Sequence, residues 1–225
     1  MTTVEFLRQS APYLAEALET LFGDQSSGGA LGSQERELIL MGLCTIHGTD
    51  ADVIEHGRKA LDAGASAQAA IEVVLTTAMS RGPRALMASQ EFLSTLQDSD
   101  PPGLKPDTLT RPLEYFEFEF GSLPEWVRRL AEFSPIALEC YATLRQGLLV
   151  DGAVPRKVKE LLTMTLNAID GSGGGIKSHA VAAVRHGASK EEVLDALLQG
   201  LRVGGIVTWI NGVAALHDLL VSRQP

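Results

Sequence analysis

The sequence predicts an all-α protein made of two tandem helical units. Three observations carry that expectation. Each segment with a clear hydrophobic period has helical spacing. The stretch from Val154 to Ser189 reads as helix, glycine-rich turn, helix. The same pattern returns from Leu31 to Ser66 at a constant offset of 123 residues, with no gap. Under that offset Glu160 falls on Glu37, Met164 on Met41, Gly171 on Gly48, His179 on His56 and Gly187-Ala188-Ser189 on Gly64-Ala65-Ser66. It holds outside the hairpin too: Pro135 answers Pro12, Glu139 Glu16, Leu198 Leu75 and Gly205 Gly82. A fixed-period repeat sets the architecture before any finer reading. The units are expected at residues 1–98 and 124–225, joined by a linker at 99–123.

The elements follow in order. Residues 4–22 are helical with a break at Pro12, followed by a loop, Asp24 to Gly32. Ser33 is expected to cap the next helix, to about Ile46, with Glu35 and Glu37 in the first turn, where negative charge suits the helix dipole. Asp50 is the expected cap of the helix bearing His56, which Gly64 ends. Ser66 caps a further helix, broken at Gly82-Pro83, and a last one runs to about Leu96. Gln97 to Arg111, rich in Pro and Asp, reads as linker. Pro112 to Gly121, PLEYFEFEFG, alternates aromatic and acidic residues and reads as a short strand or, given its isolation, an aromatic lid or packing arm. The second copy begins near Pro124, breaks at Pro135, and resumes with Pro155 at a helix start. Ser189 with Glu192 forms a capping box, and Gly204-Gly205 precedes a closing helix with Trp209, Leu216 and Leu220.

Bulk composition excludes several function classes. The net charge of −9 leaves no basic face for nucleic acid. The most apolar stretch, Val203 to Leu216, is too short to span a bilayer. The N-terminus lacks the basic start and apolar run of a secretory signal. Cys44 and Cys140 occupy unmatched positions, aligning with Asn167 and Ala17, and read as small buried apolar residues in a reducing compartment. A cytoplasmic protein is expected.

Glu160 and His179 flank the turn at similar distances. At a rise of about 1.5 Å per residue they reach the same height in an antiparallel hairpin. A carboxylate beside an imidazole is the smallest unit that moves protons near neutral pH. Glu37 and His56 repeat the arrangement, but Asp50, Asp52 and Glu55 make that neighbourhood acidic and poor for an anion. The turn Gly171-Ser172-Gly173-Gly174-Gly175 opens a helix, so Ser172, Gly174 and Gly175 offer backbone N–H groups to a carboxylate or enolate oxygen. Arg202 and Trp209 flank the Gly204-Gly205 break and are further candidates for lining a pocket. Lys157 and Lys159 read as a solvated helix face, and His47, His186 and His217 as ordinary surface or core residues. The histidines lack the clustered partners of a zinc site, so no metal is expected.

The stretch KELLTMTLNAIDGSGGGIKSHAVAAVRHGASKEEVLDALLQGLRVGG and its weaker counterpart ERELILMGLCTIHGTDADVIEHGRKALDAGASAQAAIEVVLTTAMSRGP resemble the carboxymuconolactone decarboxylase family, which includes the alkylhydroperoxidase-D-like proteins. The resemblance implies the all-helical alkylhydroperoxidase-D-like fold, assembly as homo-trimers or hexamers, and a site near the Glu/His hairpin. It also implies cofactor-free decarboxylation of a small carboxylated lactone or keto acid, with Glu160, His179, Glu37 and His56 as acid–base residues. The peroxidase branch carries a Cys-x-x-Cys just before the histidine. Here those positions are Ser172 and Gly175, and Thr49 and Asp52. Thiol peroxidase chemistry needs a thiolate and a resolving thiol, and is discounted. The alternative is a non-catalytic relative that binds a small ligand or serves as an oligomeric scaffold.

Overall fold

Local signals in the chain punctuate it into helices. A computed structural model describes residues 3–23, 29–96 and 109–221. The first unit comprises α1 (Thr3–Ser10), α2 (Pro12–Phe22), α3 (Ser33–His47), α4 (Asp50–Asp62), α5 (Ala67–Arg81), α6 (Arg84–Ala88) and α7 (Gln90–Ser94). After α8 (Pro112–Phe120) the second unit comprises α9 (Glu125–Phe133), α10 (Pro135–Leu148), α11 (Arg156–Ile169), α12 (Gly173–Arg185), α13 (Lys190–Gly204), α14 (Ile206–Ala215) and α15 (His217–Val221). Among the described residues there is no strand, and no helix is long and apolar enough to cross a membrane. Most of the linker expected at residues 97–111 lies outside the described residues.

The caps explain most boundaries. Ser66 and Ser189 each accept from a backbone N–H three residues on, and Ser189 with Glu192 closes the expected capping box. Gly64 and Gly187, both at positive φ, follow the two histidine-bearing helices at matched positions. Two assignments shift by one residue. Thr49, not Asp50, caps α4, because its hydroxyl and the Asp52 carboxylate satisfy each other's backbone N–H groups. Gly32, not Ser33, precedes α3, with its N–H held by Glu35. The run expected to Leu96 is two short helices, α6 and α7.

Segment 112–120 is helical, not a strand. Pro112 occupies the first helical position, where its missing N–H costs nothing, and Gly121 closes the helix in the left-handed region. Tyr115, Phe116, Glu119 and Phe120 then fall on one inward face while Phe118 points to solvent. This face packs on α9 and α10 in a small aromatic cluster with Val127, Leu138 and Tyr141.

The main core is shared by both units. Leu38, Ile39, Met41 and Leu43 of α3 and Leu161, Leu162, Met164 and Leu166 of α11 are all within one cluster. The units also exchange neighbours: α13 packs on α3 and α2, and α5 on α11 and α10. Two buried polar clasps tie this exchange together. Lys159, expected in solvent, is fully buried and pairs with Glu72 of α5 at 2.7 Å. Its Nζ also donates to the Val150 carbonyl, while the Glu72 carboxylate accepts from the backbone of Ala153 and Val154. The offset carries Lys159 to Arg36, Glu72 to Asp195 and Val154 to Leu31. There, Asp195 accepts from the Leu31 N–H and Arg36 donates to the Leu31 carbonyl.

Removing one member of a buried, hydrogen-bonded ion pair leaves the other charge uncompensated, a loss of about 3–5 kcal/mol. Lys159→Met is therefore expected to destabilise the protein by about that amount in urea unfolding, and pairing it with Glu72→Leu is expected to recover a large part.

Candidate functional site

In the second unit, α11 and α12 lie antiparallel across the glycine turn. Their close approach needs Gly175: a Cβ there would overlap the Asn167 side-chain amide. Gly175 thus serves the packing of the hairpin. About three helical turns before the bend on α11, the Glu160 carboxylate meets His179 Nδ1 of α12 at 2.7 Å. Glu160 is almost wholly buried and His179 is 12% exposed.

The carboxylate is held from its other side as well. Arg156, one turn earlier on α11, donates through Nε to Glu160 Oε1 at 3.1 Å. Its Nη2 reaches Glu119 of α8 at 2.5 Å. Burial pushes the Glu160 carboxyl up, but the His179 hydrogen bond and the Arg156 and Arg145 guanidinium groups outweigh it, and the net direction is down. An ionised carboxylate only accepts, so it fixes the hydrogen on Nδ1 of a neutral imidazole and leaves Nε2 as the exchanging nitrogen.

A cavity of about 400 Å³ opens beside the pair. Glu160 and His179 line it with Arg145 of α10, Glu119 and Phe120 of α8, and Gly174, Lys177, Ser178, Val181, Ala182 and Arg185 of α12. Gly174 is the member of the predicted glycine turn at the cavity wall. Ser172 is exposed at the start of α12, outside the lining. Trp209 is half-buried against the main core rather than in the cavity.

The first unit brings Glu37 and His56 to the same 2.7 Å contact. Its pocket is smaller, about 250 Å³, and is lined by Phe22, Leu40, Cys44, His47, Asp52, His56 and Arg202 among others. Arg202, a candidate for lining a pocket, follows the second hairpin in sequence. Because α13 crosses to α3, it lies in the first unit's pocket instead, bonded to Gln199 at 2.9 Å. His47, read as an ordinary residue, also lines this pocket, and its Nε2 lies 3.5 Å from Asp170, its own counterpart under the offset. Cys44 is buried there, and burial foremost, with Asp52 next, pushes its thiol up to about 12. Cys140, expected to be buried, is exposed on α10. Among the described residues no group of three or more His, Cys, Asp or Glu side chains is placed to hold a metal ion.

The sequence reading missed Arg145, Arg156, Glu119 and Phe120. Arg156 was signalled by its place four residues before Glu160. Arg145 was signalled by the repeat itself, since the offset sets it against Phe22, and sets Arg156 against Ser33. Glu119 and Phe120 come from α8, which has no counterpart in the first unit.

A duplicated helical hairpin with a buried Glu–His pair in each copy defines a two-unit, all-α class of protein with two related pockets. The carboxymuconolactone decarboxylase family model matches residues 12–93 and 135–218, and the chain belongs to that family. An uncharacterized protein of Cupriavidus necator is 28% identical over 76 residues, covering 34% of this chain and 67% of that protein. The crystal structure of a candidate gamma-carboxymuconolactone decarboxylase subunit from Burkholderia xenovorans LB400 has the same fold, with a TM-score of 0.67 and 21% identity over 97% of this chain and 92% of the other.

Two tests follow from the electrostatics. Cys44, protonated and buried, is expected to react with a maleimide far more slowly than exposed Cys140, at native pH, as read by mass spectrometry of peptides. Glu160 has a folded-state value below its ordinary 4.5, so its contribution to stability is complete above 4.5 and is lost as the pH falls through the lower folded value. Glu160→Gln is therefore expected to lower Tm at neutral pH and to flatten the decline of Tm with acidification below 4.5.

Proposed function

We propose that the second-unit cavity carries out cofactor-independent acid–base chemistry on a small carboxylated lactone or keto acid, releasing CO₂. The observation that carries this reading is the Glu160–His179 contact at 2.7 Å, at the wall of a cavity large enough for a small molecule. The similarity to decarboxylase-family proteins supports the choice of reaction class.

Decarboxylation moves the electron pair of the breaking C–C bond onto an adjacent carbonyl oxygen, giving an enolate, and then needs a proton on carbon. In this reading His179 carries that proton on Nε2. Glu160 keeps Nδ1 protonated, orients the ring and stabilises the imidazolium form. Arg156 holds the Glu160 carboxylate in place, and Phe120, Val181 and Ala182 give the cavity apolar surface beside the developing charge. The cations bordering the cavity favour a substrate bearing a carboxylate. The first-unit pair has neither an arginine matching Arg156 nor one matching Arg145, and its pocket is smaller, so the chemistry is assigned to the second unit.

A panel of carboxylated lactones and β-keto acids, followed by CO₂ release, tests the reading. His179→Ala is expected to lower kcat by about 10²–10⁴-fold, the usual contribution of a positioned acid or base. Glu160→Gln is expected to lower kcat less and to alter its pH profile, and His56→Ala to leave the rate unchanged. No CO₂ release from any member by the wild-type protein, or turnover untouched in folded His179→Ala, would overturn it.

A further inference from the structure

We infer that Arg145 is the carboxylate anchor of the second-unit cavity, a positioning residue that holds the substrate's anionic end while the reacting carbon faces His179. The inference rests on the reading of this cavity as the substrate site. Arg145 is 5% exposed and lines the cavity with Glu160 and His179. Its guanidinium carbon sits 5.7–5.9 Å from the ring centroids of Phe116, Phe120 and Tyr141. Its Nε is buried and has no hydrogen-bond partner. Among the described residues no carboxylate lies within the 4.0 Å of an ion pair, in contrast to Arg156, with Glu119 and Glu160, and to Lys159, with Glu72.

A buried cation without a carboxylate is costly, and here aromatic faces and hydrogen-bonding contact with the Tyr115 and Tyr141 hydroxyls keep the guanidinium charged. The fold does not require it. The matched position in the first unit is Phe22, which lines that unit's pocket from α2 and carries no charge. The charge is therefore specific to the cavity beside which it lies. Both nearby carboxylates are already engaged, Glu119 by Arg156 and Glu160 by Arg156 and His179. An acceptor-only group arriving from outside is the natural complement, and a guanidinium suits a carboxylate in particular because its planar fork matches the two oxygens.

The anchor also says which carboxylate it holds. An ion pair with a guanidinium stabilises carboxylate charge that decarboxylation would disperse, so a group held by Arg145 resists leaving as CO₂. The carboxylate on Arg145 is then one that the product retains, and the reacting group lies at the His179 end. The substrate class is a small acid with two carboxylates, one retained on Arg145 and the other leaving as CO₂ while a neighbouring carbonyl takes up the electron pair.

The test uses levulinate, a stable keto acid, and 2-pentanone, a neutral methyl ketone, with binding to the full chain measured by NMR titration. Levulinate is expected to bind the wild-type protein at least about tenfold more tightly than 2-pentanone, with a shift of the Arg145 Nε–H resonance. Arg145→Met is expected to abolish that preference and His179→Ala to keep it. Equal binding of the two ligands by wild type overturns the inference, whether or not the variant folds. So does a preference that survives in natively folded Arg145→Met. Because no turnover is read, loss of the decarboxylase reading through the CO₂ assay leaves this outcome separately decidable.

Discussion

The structure depends on charges placed where water cannot reach them. Lys159 and Glu72 meet between α11 and α5, and Arg36 and Asp195 occupy the matched positions between α3 and α13. Each acid also takes up backbone N–H groups at the entry to the facing unit's central helix, Val154 before α11 and Leu31 before α3. A buried pair stabilises only when its remaining hydrogen-bonding capacity is met, and here the loops meet it. The clasps thereby fix both the register of the two units and the paths of the segments that lead into α3 and α11. Those are the helices on which Glu37 and Glu160 stand, so the placement of both Glu–His pairs follows from it.

On this near-symmetric frame the two sites differ by a few substitutions. The imidazole–carboxylate contact is the same length in both units. Around it, Arg145 stands against Phe22, Arg156 against Ser33 and Asn167 against Cys44. One site gains Arg145 and a larger cavity, while the other gains a protonated thiol and is bordered by Asp52 and Arg202. Of these residues Arg145 lines the larger cavity and Phe22 and Cys44 the smaller one, while Cys44 also packs in the shared core with Met41 and Met164.

Much of this was legible in the sequence. Helical periodicity, proline and glycine punctuation and the repeat gave the architecture, because these signals act over a few residues or through a fixed offset. The Glu–His pairs were legible because a hairpin turns sequence symmetry into spatial proximity. What stayed hidden depends on how the units interlock. Lys159 resembles any solvent-facing lysine until α5 brings Glu72 to it. Arg202 follows the second hairpin in sequence, but α13 leans on the other unit. The alternation in PLEYFEFEFG suggested a strand because period 2 and the i, i+1, i+4, i+5 face of a short helix select overlapping residues in nine positions.

Helix α8 lies between the two copies and belongs to neither. It nevertheless supplies Glu119 and Phe120 to one cavity and, through Phe116, part of the aromatic bed under Arg145. A duplicated protein ordinarily has to break its own symmetry by changing one copy, at a risk to the shared core. Here the connecting segment does part of that work from outside the duplication. Selectivity is thus partly uncoupled from the frame: length and sequence in the connector can drift, and the cavity's wall can be remodelled, while both Glu–His hairpins and the clasps between them stay as they are.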